Sequence, residues 1–249
     1  MNILLAIGTH GDEKIGRVVA DALQQCTILR GSLTVLVANE KAHERNVRFI
    51  DQDLNRSFPG KKKGNHEQRL AYSLKPIVES YDMVIDIHST TSELRDAIIV
   101  TSLNKKTRHY INVISPKYAL WMRATGDSAL ISNAKIGIAF EYGKDNDPAV
   151  AKRVIQGIMR LLMHERMIAP KNISAAQHPI KFFKVTSSVP KPAGAVLAPT
   201  IKNYKLITKG TTYAKAPSGA ILARRDFYPI LFGQHNYTEI FGFAAHSIT

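Results

Sequence analysis

The amino-acid sequence predicts an α/β fold with a mainly parallel, mixed sheet flanked by helices, followed by a small C-terminal β domain. Over the first two thirds of the chain, short apolar runs of strand length alternate with amphipathic helical patterns. From residue 170 onward, seven prolines are spaced among short β-branched and aromatic runs, a texture typical of a small β domain. We therefore predict two domains, 1–169 and 170–249.

Each element of the first domain rests on a local pattern. Helices are predicted over 15–25 and 67–79, where apolar positions recur on one helical face. A third is predicted over 147–166, because Asp147 suits the N-cap, Pro148 suits the first helical position, and an apolar stripe follows. Five apolar runs are strand candidates, in chain order NILLAIG, SLTVLVAN, DMVIDIHS, DAIIVTS and IGIAFEYG.

Composition narrows the class of protein. The chain has 249 residues, of which 45% are hydrophobic, so it is long enough to bury a sizeable core. No stretch approaches the roughly 20 apolar residues of a membrane span, and the first residues run directly into a strand pattern. We therefore expect a cytoplasmic protein without membrane association. The single Cys26 excludes an internal disulfide and a cysteine-based zinc site.

The net charge of +14 is unevenly distributed. Residues 1–169 carry 24 Lys and Arg against 18 Asp and Glu, and residues 170–249 carry 10 against 2, so the last third holds +8. Such an excess attracts either nucleic acid or small anionic substrates. The sequence contains no nucleic-acid-binding motif, which favours a small anionic substrate.

Three strand candidates end in side chains that bind metals or move protons. His10 and Glu13 follow the first apolar run, His88 ends the third, and Glu141 ends the last. In an open α/β sheet, the carboxyl ends of the strands meet at one edge, where ligands bind. Two imidazoles and a carboxylate hold a catalytic zinc ion and leave a position for water. Glu141 would then remain free to act as a general base.

Two further features belong to this hypothesis. Gly8 and Gly11 allow the tight backbone path that brings His10 and Glu13 to one point. The segment RFIDQDLNRSFPG, residues 48–60, suits a fixed loop and offers arginine and asparagine donors for a carboxylate or a developing oxyanion. Each of these residues, taken alone, also fits an ordinary polar turn or strand end. Only their common position at one sheet edge favours a site.

In this order, the motifs GTHGDE, DLNRSF, DIHSTTS and FEYG resemble the aspartoacylase and succinylglutamate desuccinylase family. Members of this family are zinc-dependent deacylases related to carboxypeptidase A type metallopeptidases. The later segment YPILFGQHNYTEIFGFA is similar to the family's C-terminal segment, so the resemblance covers nearly the whole chain. It implies a zinc carboxypeptidase-like fold whose β domain narrows the entrance to the active site.

The resemblance also implies a role for each matched residue. The zinc ligands would be His10, Glu13 and His88, with Glu141 as the base that activates water. Arg48 would help to polarise the scissile carbonyl. The substrate would be bound by Asn55, Arg56 and Tyr237. The implied cofactor is one Zn²⁺ per chain, and the implied substrate is a small anionic N-acyl amino acid.

One position departs from the family pattern. Aspartoacylase-like members carry a tyrosine and an arginine, the latter ten residues before the catalytic glutamate, and the arginine binds a second substrate carboxylate. The corresponding residues here are Asp127 and Ile131. An apolar side chain cannot bind a carboxylate, so the departure puts N-acetylaspartate specificity in question. Arg123 is the nearby cation that could replace the missing one.

Two other functions stay open at this point. A metallocarboxypeptidase would use the same groups on peptides, although the spacings of 78 residues from His10 to His88 and 53 from His88 to Glu141 leave little room for an extended peptide groove. A non-catalytic zinc-binding protein with an acidic partner would use the basic C-terminal part. The sequence also leaves open whether the chain is a monomer or a homodimer.

Overall fold

The computed structural model describes residues 1–90, 96–123, 125–145, 147–173 and 178–248. The strands among them are β1 Asn2–Ile7, β2 Ser32–Val37, β3 Met83–His88, β4 Ala97–Val100, β5 Tyr118–Trp121, β6 Gly137–Glu141, β7 Lys181–Pro190, β8 Val196–Leu197, β9 Thr212–Ala216, β10 Gly219–Leu222, β11 Tyr228–Ile230 and β12 Ile240–Ile248. The α-helices are α1 Ile15–Gln24, α2 Glu40–Glu44, α3 His66–Ser80, α4 Lys105–Ile114 and α5 Pro148–His164.

A nine-stranded mixed sheet forms the centre of the fold, in the order β11-β12-β7-β5-β4-β6-β3-β1-β2. Strands β2, β1, β3 and β6 are mutually parallel neighbours. Strand β4 runs antiparallel to β6, and β5 and β7 continue parallel to β4. Because β1, β3 and β6 are adjacent and parallel, their carboxyl ends lie side by side at one edge of the sheet.

Alternating side chains place the sheet between two hydrophobic layers. Ile3, Leu5 and Ile7 of β1 pack in one cluster with residues of α1, α4 and α5. Leu4 and Ala6 point to the opposite face and pack with residues of α3. Helices therefore cover both faces, and the predicted fold class is confirmed.

All five predicted strands and all three predicted helices are present, within one to three residues of the expected bounds. Asp147 accepts a hydrogen bond from the Ala149 amide at 2.9 Å, as an N-cap does. The sequence prediction missed β5 and the helices α2 and α4. Within the part of the chain that the structure describes, no helix is both long and apolar enough to cross a membrane.

The C-terminal part of the chain belongs to two sheets. Strands β7, β11 and β12 extend the nine-stranded sheet, and β8, β9 and β10 form a separate antiparallel sheet of three strands. A hydrophobic cluster joins the two sheets, with Tyr213 from β9 and Phe241 from β12 among its buried members. The division of the chain into separate domains at residue 170 stays a prediction.

Candidate metal and catalytic site

The structure brings four of the predicted site residues together at the carboxyl edge of the sheet. His10 and Glu13 lie in the turn after β1, and His88 and Glu141 are the last residues of β3 and β6. His88 and Glu141 occupy paired positions in the two strands. Ligand atoms of His10, Glu13 and His88 lie within 4.8 Å of one another, and all three residues are buried.

Two glycines permit the turn that carries His10 and Glu13. Gly8 has a φ of 62°, in the left-handed region that side chains disfavour. A Cβ on Gly11 would lie 2.2 Å from the carbonyl carbon of Ala42, so only glycine fits there. The Gly11 amide donates to the Arg48 carbonyl oxygen at 3.1 Å, which joins the turn to the next site segment.

The Glu13 carboxylate lies between the two imidazoles. Its Oε1 is 2.7 Å from His10 Nδ1, and its Oε2 is 2.9 Å from His88 Nδ1. Oε2 also accepts a hydrogen bond from the Ser89 amide at 3.0 Å. Burial favours the neutral carboxyl group, but the His88 charge and the hydrogen bonds to both imidazoles outweigh it and hold the pKa of Glu13 far below its usual value.

A second carboxylate lies behind each imidazole. His88 Nε2 is 2.8 Å from Asp86 Oδ2, and His10 Nε2 is 3.2 Å from Asp53 Oδ1. Asp86 is itself fixed by the Thr9 hydroxyl, which donates to Oδ1 at 2.7 Å. When each Nε2 donates its proton to these carboxylates, the lone pair of each Nδ1 points toward Glu13.

This donor set requires a positive charge at its centre. Two Nδ1 lone pairs facing carboxylate oxygens at under 3 Å repel one another unless cations lie between them. A proton on His88 can supply that charge: burial favours neutral imidazole, but Asp86 and Glu13 raise the pKa of His88 well above its usual value. A divalent metal ion supplies the same charge. The donors, two imidazole nitrogens and a carboxylate oxygen, fit zinc.

Glu141 stands beside this cluster, and one of its two carboxylate oxygens has no hydrogen-bond partner among the described residues. Among the described residues, its Oε2 is one of five buried side-chain oxygen or nitrogen atoms that have no hydrogen-bond partner. Burial raises the pKa of Glu141 to about 7, with the His88 charge opposing the shift and the Glu13 charge adding to it. A carboxylate with that pKa accepts and releases a proton near neutral pH.

The loop after α2 delivers the predicted arginine and asparagine to the site. Arg48 Nη1 lies 3.5 Å from Glu13 Oε1, and Nη2 lies 3.8 Å from Asp53 Oδ2. Asn55 is held in a short 3-10 helix, Leu54–Arg56, where Asp53 caps the Asn55 amide at 2.8 Å. The Asn55 side-chain oxygen accepts from the Leu130 amide at 2.8 Å, and the side-chain nitrogen lies 3.2 Å from His88 Nε2.

Two adjoining cavities of about 240 and 170 Å³ open at this site. Both are lined by His10, Arg48, Glu141, Leu231 and Tyr237. The larger cavity also has apolar lining residues, which are Ile99, Met122, Ala129, Ile131, Ala139 and Phe243.

Arg56 and Arg123 line the larger cavity as well, so its described cations come from the first two thirds of the chain. The C-terminal part contributes the uncharged residues Leu231, Asn236, Tyr237 and Phe243 to the two cavities. That the basic excess of residues 170–249 lies near the mouth stays a prediction.

Sequence analysis did not single out Asp86 as a site residue. The available signal was its spacing from His88, because residues two apart in a strand point to the same face. Residues 91 and 92 of the DIHSTTS motif lie outside the described residues.

The fold and this cluster define an α/β protein with a histidine–glutamate–histidine group that could hold a metal ion at the carboxyl edge of its sheet. Residues 1–162 match the family model described as the succinylglutamate desuccinylase/aspartoacylase catalytic domain. The chain belongs to that family, as its motifs predicted.

Similar proteins agree with this assignment. A probable aspartoacylase of Acaryochloris marina is 29% identical over 160 residues, which are 57% of this chain and 54% of that protein. The N-acyl-aromatic-L-amino acid amidohydrolase (carboxylate-forming) of Xenopus tropicalis is 33% identical over 130 residues, 46% of this chain and 42% of that protein. The chain thus spans about half the length of these curated relatives.

A crystal structure of murine aminoacylase 3 has the same fold. Its TM-score is 0.78 at 18% sequence identity, and the match covers 100% of this chain and 95% of that one.

Proposed function

We propose that this protein is a zinc-dependent amidohydrolase that removes the acyl group from a small N-acyl amino acid. The observation that carries the proposal is the His10–Glu13–His88 donor set beside Glu141, whose buried Oε2 has no partner among the described residues. Family membership supports the deacylase class. The zinc ion, the residue roles and the substrate are all part of the proposal.

His10, Glu13 and His88 would hold the ion, with Asp53 and Asp86 fixing the orientation of the two imidazoles. A bound zinc ion lowers the pKa of water and polarises a carbonyl group. Glu141 takes the proton of the attacking water and passes it to the leaving amine, for which a pKa of about 7 is well suited. Arg48 donates to the carbonyl oxygen as negative charge develops there.

The shape and lining of the larger cavity support the proposed substrate class. A cavity of about 240 Å³ is of the size that a small N-acyl amino acid needs. Arg56, Arg123, Asn55 and Tyr237 line the same cavity and would bind the single substrate carboxylate. The apolar wall around Ile131 would take an uncharged side chain, because a second carboxylate buried there has no counter-ion.

The test is a hydrolysis screen with the zinc-loaded wild-type chain. N-acetylleucine and N-acetylaspartate form a matched pair, since their side chains have similar shapes and differ in charge. We expect hydrolysis of N-acyl amino acids with a higher kcat/KM for N-acetylleucine, and no cleavage of tripeptides. Cleavage of peptides in preference to N-acyl amino acids would instead indicate a metallocarboxypeptidase.

Two variants test the residue roles in the same assay. We expect Glu141→Gln to retain about one zinc per chain and to lose turnover by at least about 10²-fold, because the amide cannot accept the proton. We expect His88→Ala to lose the metal, which elemental analysis of the dialysed protein measures. Near wild-type turnover by Glu141→Gln would show that Glu141 is not the base.

The cytoplasmic location remains a prediction, and the sequence leaves the chain as either a monomer or a homodimer. Sedimentation of the purified chain over a concentration series distinguishes these two states.

A further inference from the structure

Glu67 is a fully buried carboxylate that does not line either cavity. It lies in the first turn of α3, and the whole residue is 0% exposed. Its Oε1 accepts from the Ile50 amide at 2.7 Å and from the Asn39 side-chain nitrogen at 3.1 Å. Its Oε2 accepts from the amides of Asp51 and Gln52 at 3.0 and 3.2 Å. One buried carboxylate thus binds three consecutive backbone amides.

These hydrogen bonds keep the Glu67 carboxylate ionised, although burial alone would favour its protonated form. Burial favours the protonated carboxyl group, but the Ile50 and Asp51 amides and the Asn39 side chain outweigh it and hold the pKa of Glu67 below its usual value. At neutral pH, Glu67 is therefore ionised, and its charge is stabilised by the amides of residues 50–52. The same bonds restrict the path of this loop, which has neither helix nor strand partners there.

The restricted segment carries two residues of the candidate site at its ends. Arg48 lies two residues before Ile50, and its carbonyl oxygen is held by the Gly11 amide at 3.1 Å. Asp53 follows Gln52, and its carboxylate contacts His10 Nε2 at 3.2 Å and caps the Asn55 amide. Glu67 therefore anchors the middle of the loop whose ends contact the metal-binding cluster.

We propose that Glu67 is a positioning residue that holds the 48–53 loop so that the Arg48 guanidinium faces the reacting carbonyl. The proposal rests on the proposed function, because it assigns Glu67 an effect on amide hydrolysis through Arg48. Glu67 lines neither cavity, so it would act through the loop and not by contact with the substrate. A carboxylate is needed at this place, since only a group with four accepting lone pairs and no donor satisfies all of these amides.

A double-mutant cycle tests this coupling. Glu67→Gln keeps the size of the side chain but turns an amide NH₂ group toward backbone N–H donors, which disrupts the loop. We expect it to lower kcat by about 10²-fold, the scale that a misplacement of about 1 Å produces, with KM and zinc content little changed. In an Arg48→Ala background, we expect Glu67→Gln to lower kcat by less than about threefold, because the group it positions is gone.

Glu79→Gln is the matched control, since Glu79 lies on the same helix, is exposed and pairs only with Lys75 among the contacts seen for it. It should leave kcat unchanged. Glu67→Asp keeps the charge on a shorter side chain, so its kcat should lie between those of Glu67→Gln and the wild type. If Glu67→Gln does not fold, Glu67→Asp replaces it in the double-mutant cycle. An equal loss of kcat from Glu67→Gln with and without Arg48 would overturn the proposal.

Hydrogen exchange separates this proposal from the proposed function. Glu67→Gln should accelerate amide exchange at residues 50–52, whereas Glu79→Gln should not. If the wild-type chain hydrolyses no N-acyl amino acid, the proposed function fails, and the exchange rates still show whether Glu67 anchors the loop. Unchanged exchange at residues 50–52 in folded Glu67→Gln would contradict the anchor itself.

Discussion

Asp86 shows how single residues set the properties of the metal-binding cluster without touching its centre. Its carboxylate is 0% exposed and is shared between the Thr9 hydroxyl and His88 Nε2. This contact decides which nitrogen of His88 carries the proton and so which nitrogen faces Glu13. Asp53 Oδ1 lies 3.2 Å from His10 Nε2, which also lies 3.1 Å from Arg48 Nη2. The cluster therefore includes five side chains, three of which would supply ligands to a metal ion.

We predict that Asp86→Asn weakens zinc binding by about 10- to 100-fold, because an amide that receives the Nε2 proton makes His88 a poorer ligand than a carboxylate does. Competition with a chelator of known affinity measures the change. Asp82→Asn is the control, since Asp82 lies just before the other end of β3 and accepts only from the Asn2 amide among the hydrogen bonds seen for it. Equal zinc affinities for Asp86→Asn and wild type would show that Asp86 does not orient the ligand.

At the scale of secondary-structure elements, patterns within one segment were sufficient for part of the fold. Strand β3 is buried at all six positions, four of which are apolar, and α5 carries both an N-cap and an apolar stripe. Strand β5 has only four residues and is recognisable only through its pairing with β4 and β7. Helix α4 has an Asn104 N-cap and a buried face. Its buried face includes a threonine and a tyrosine, so the sequence shows no clear apolar stripe there.

The residues of the candidate site also differ in how far the sequence alone predicts them. The predicted strand ends were sufficient to identify four site residues, because each follows or ends an apolar run: His10, Glu13, His88 and Glu141. Glu67 gave no such signal, because its partners at residues 50–52 are 15 to 17 positions away and are backbone amides, which every sequence contains. Contacts of this kind become visible only when the loop is folded.

The turn between β1 and α1 is the element on which the cluster depends most. We predict that Gly11→Ala lowers the free energy of unfolding by roughly 1–3 kcal/mol or more, because the new Cβ would meet the Ala42 and His43 backbone at 2.2–2.4 Å. The turn that carries His10 and Glu13 must then move away from Ala42, so we expect zinc affinity to fall as well. Denaturant unfolding of the metal-free chain measures the first effect.

Gly210→Ala is a suitable comparison for that prediction. Gly210 has a φ of 85°, yet nothing lies within 4 Å of an added Cβ, so its substitution carries backbone strain without a collision. If Gly11→Ala destabilises the chain no more than Gly210→Ala, close packing against Ala42 is not what requires glycine in this turn.

At the scale of the whole molecule, the two ends of the chain are joined through one sheet. Strand β7 pairs with β5 on one side and with β12 on the other, so the C-terminal part continues the nine-stranded sheet. The same part supplies Leu231, Tyr237 and Phe243 to the cavities. Residues on both sides of the predicted boundary between 1–169 and 170–249 therefore form one sheet, so the stability of each part alone has to be measured.

We predict that a fragment of residues 1–169 does not fold to a stable monomer. Removal of residues 170–249 leaves β5 as an unpaired edge and exposes Ala97 and Leu120, which pack in one cluster with Phe183, Ile230 and Ala245. Because that cluster is apolar, its exposure favours aggregation. Size-exclusion chromatography and hydrogen exchange of the fragment, compared with the full chain, measure this. Co-expression of residues 170–249 should restore β5 protection and metal binding, whereas cooperative unfolding and zinc binding by the fragment alone would establish 1–169 as an independent domain.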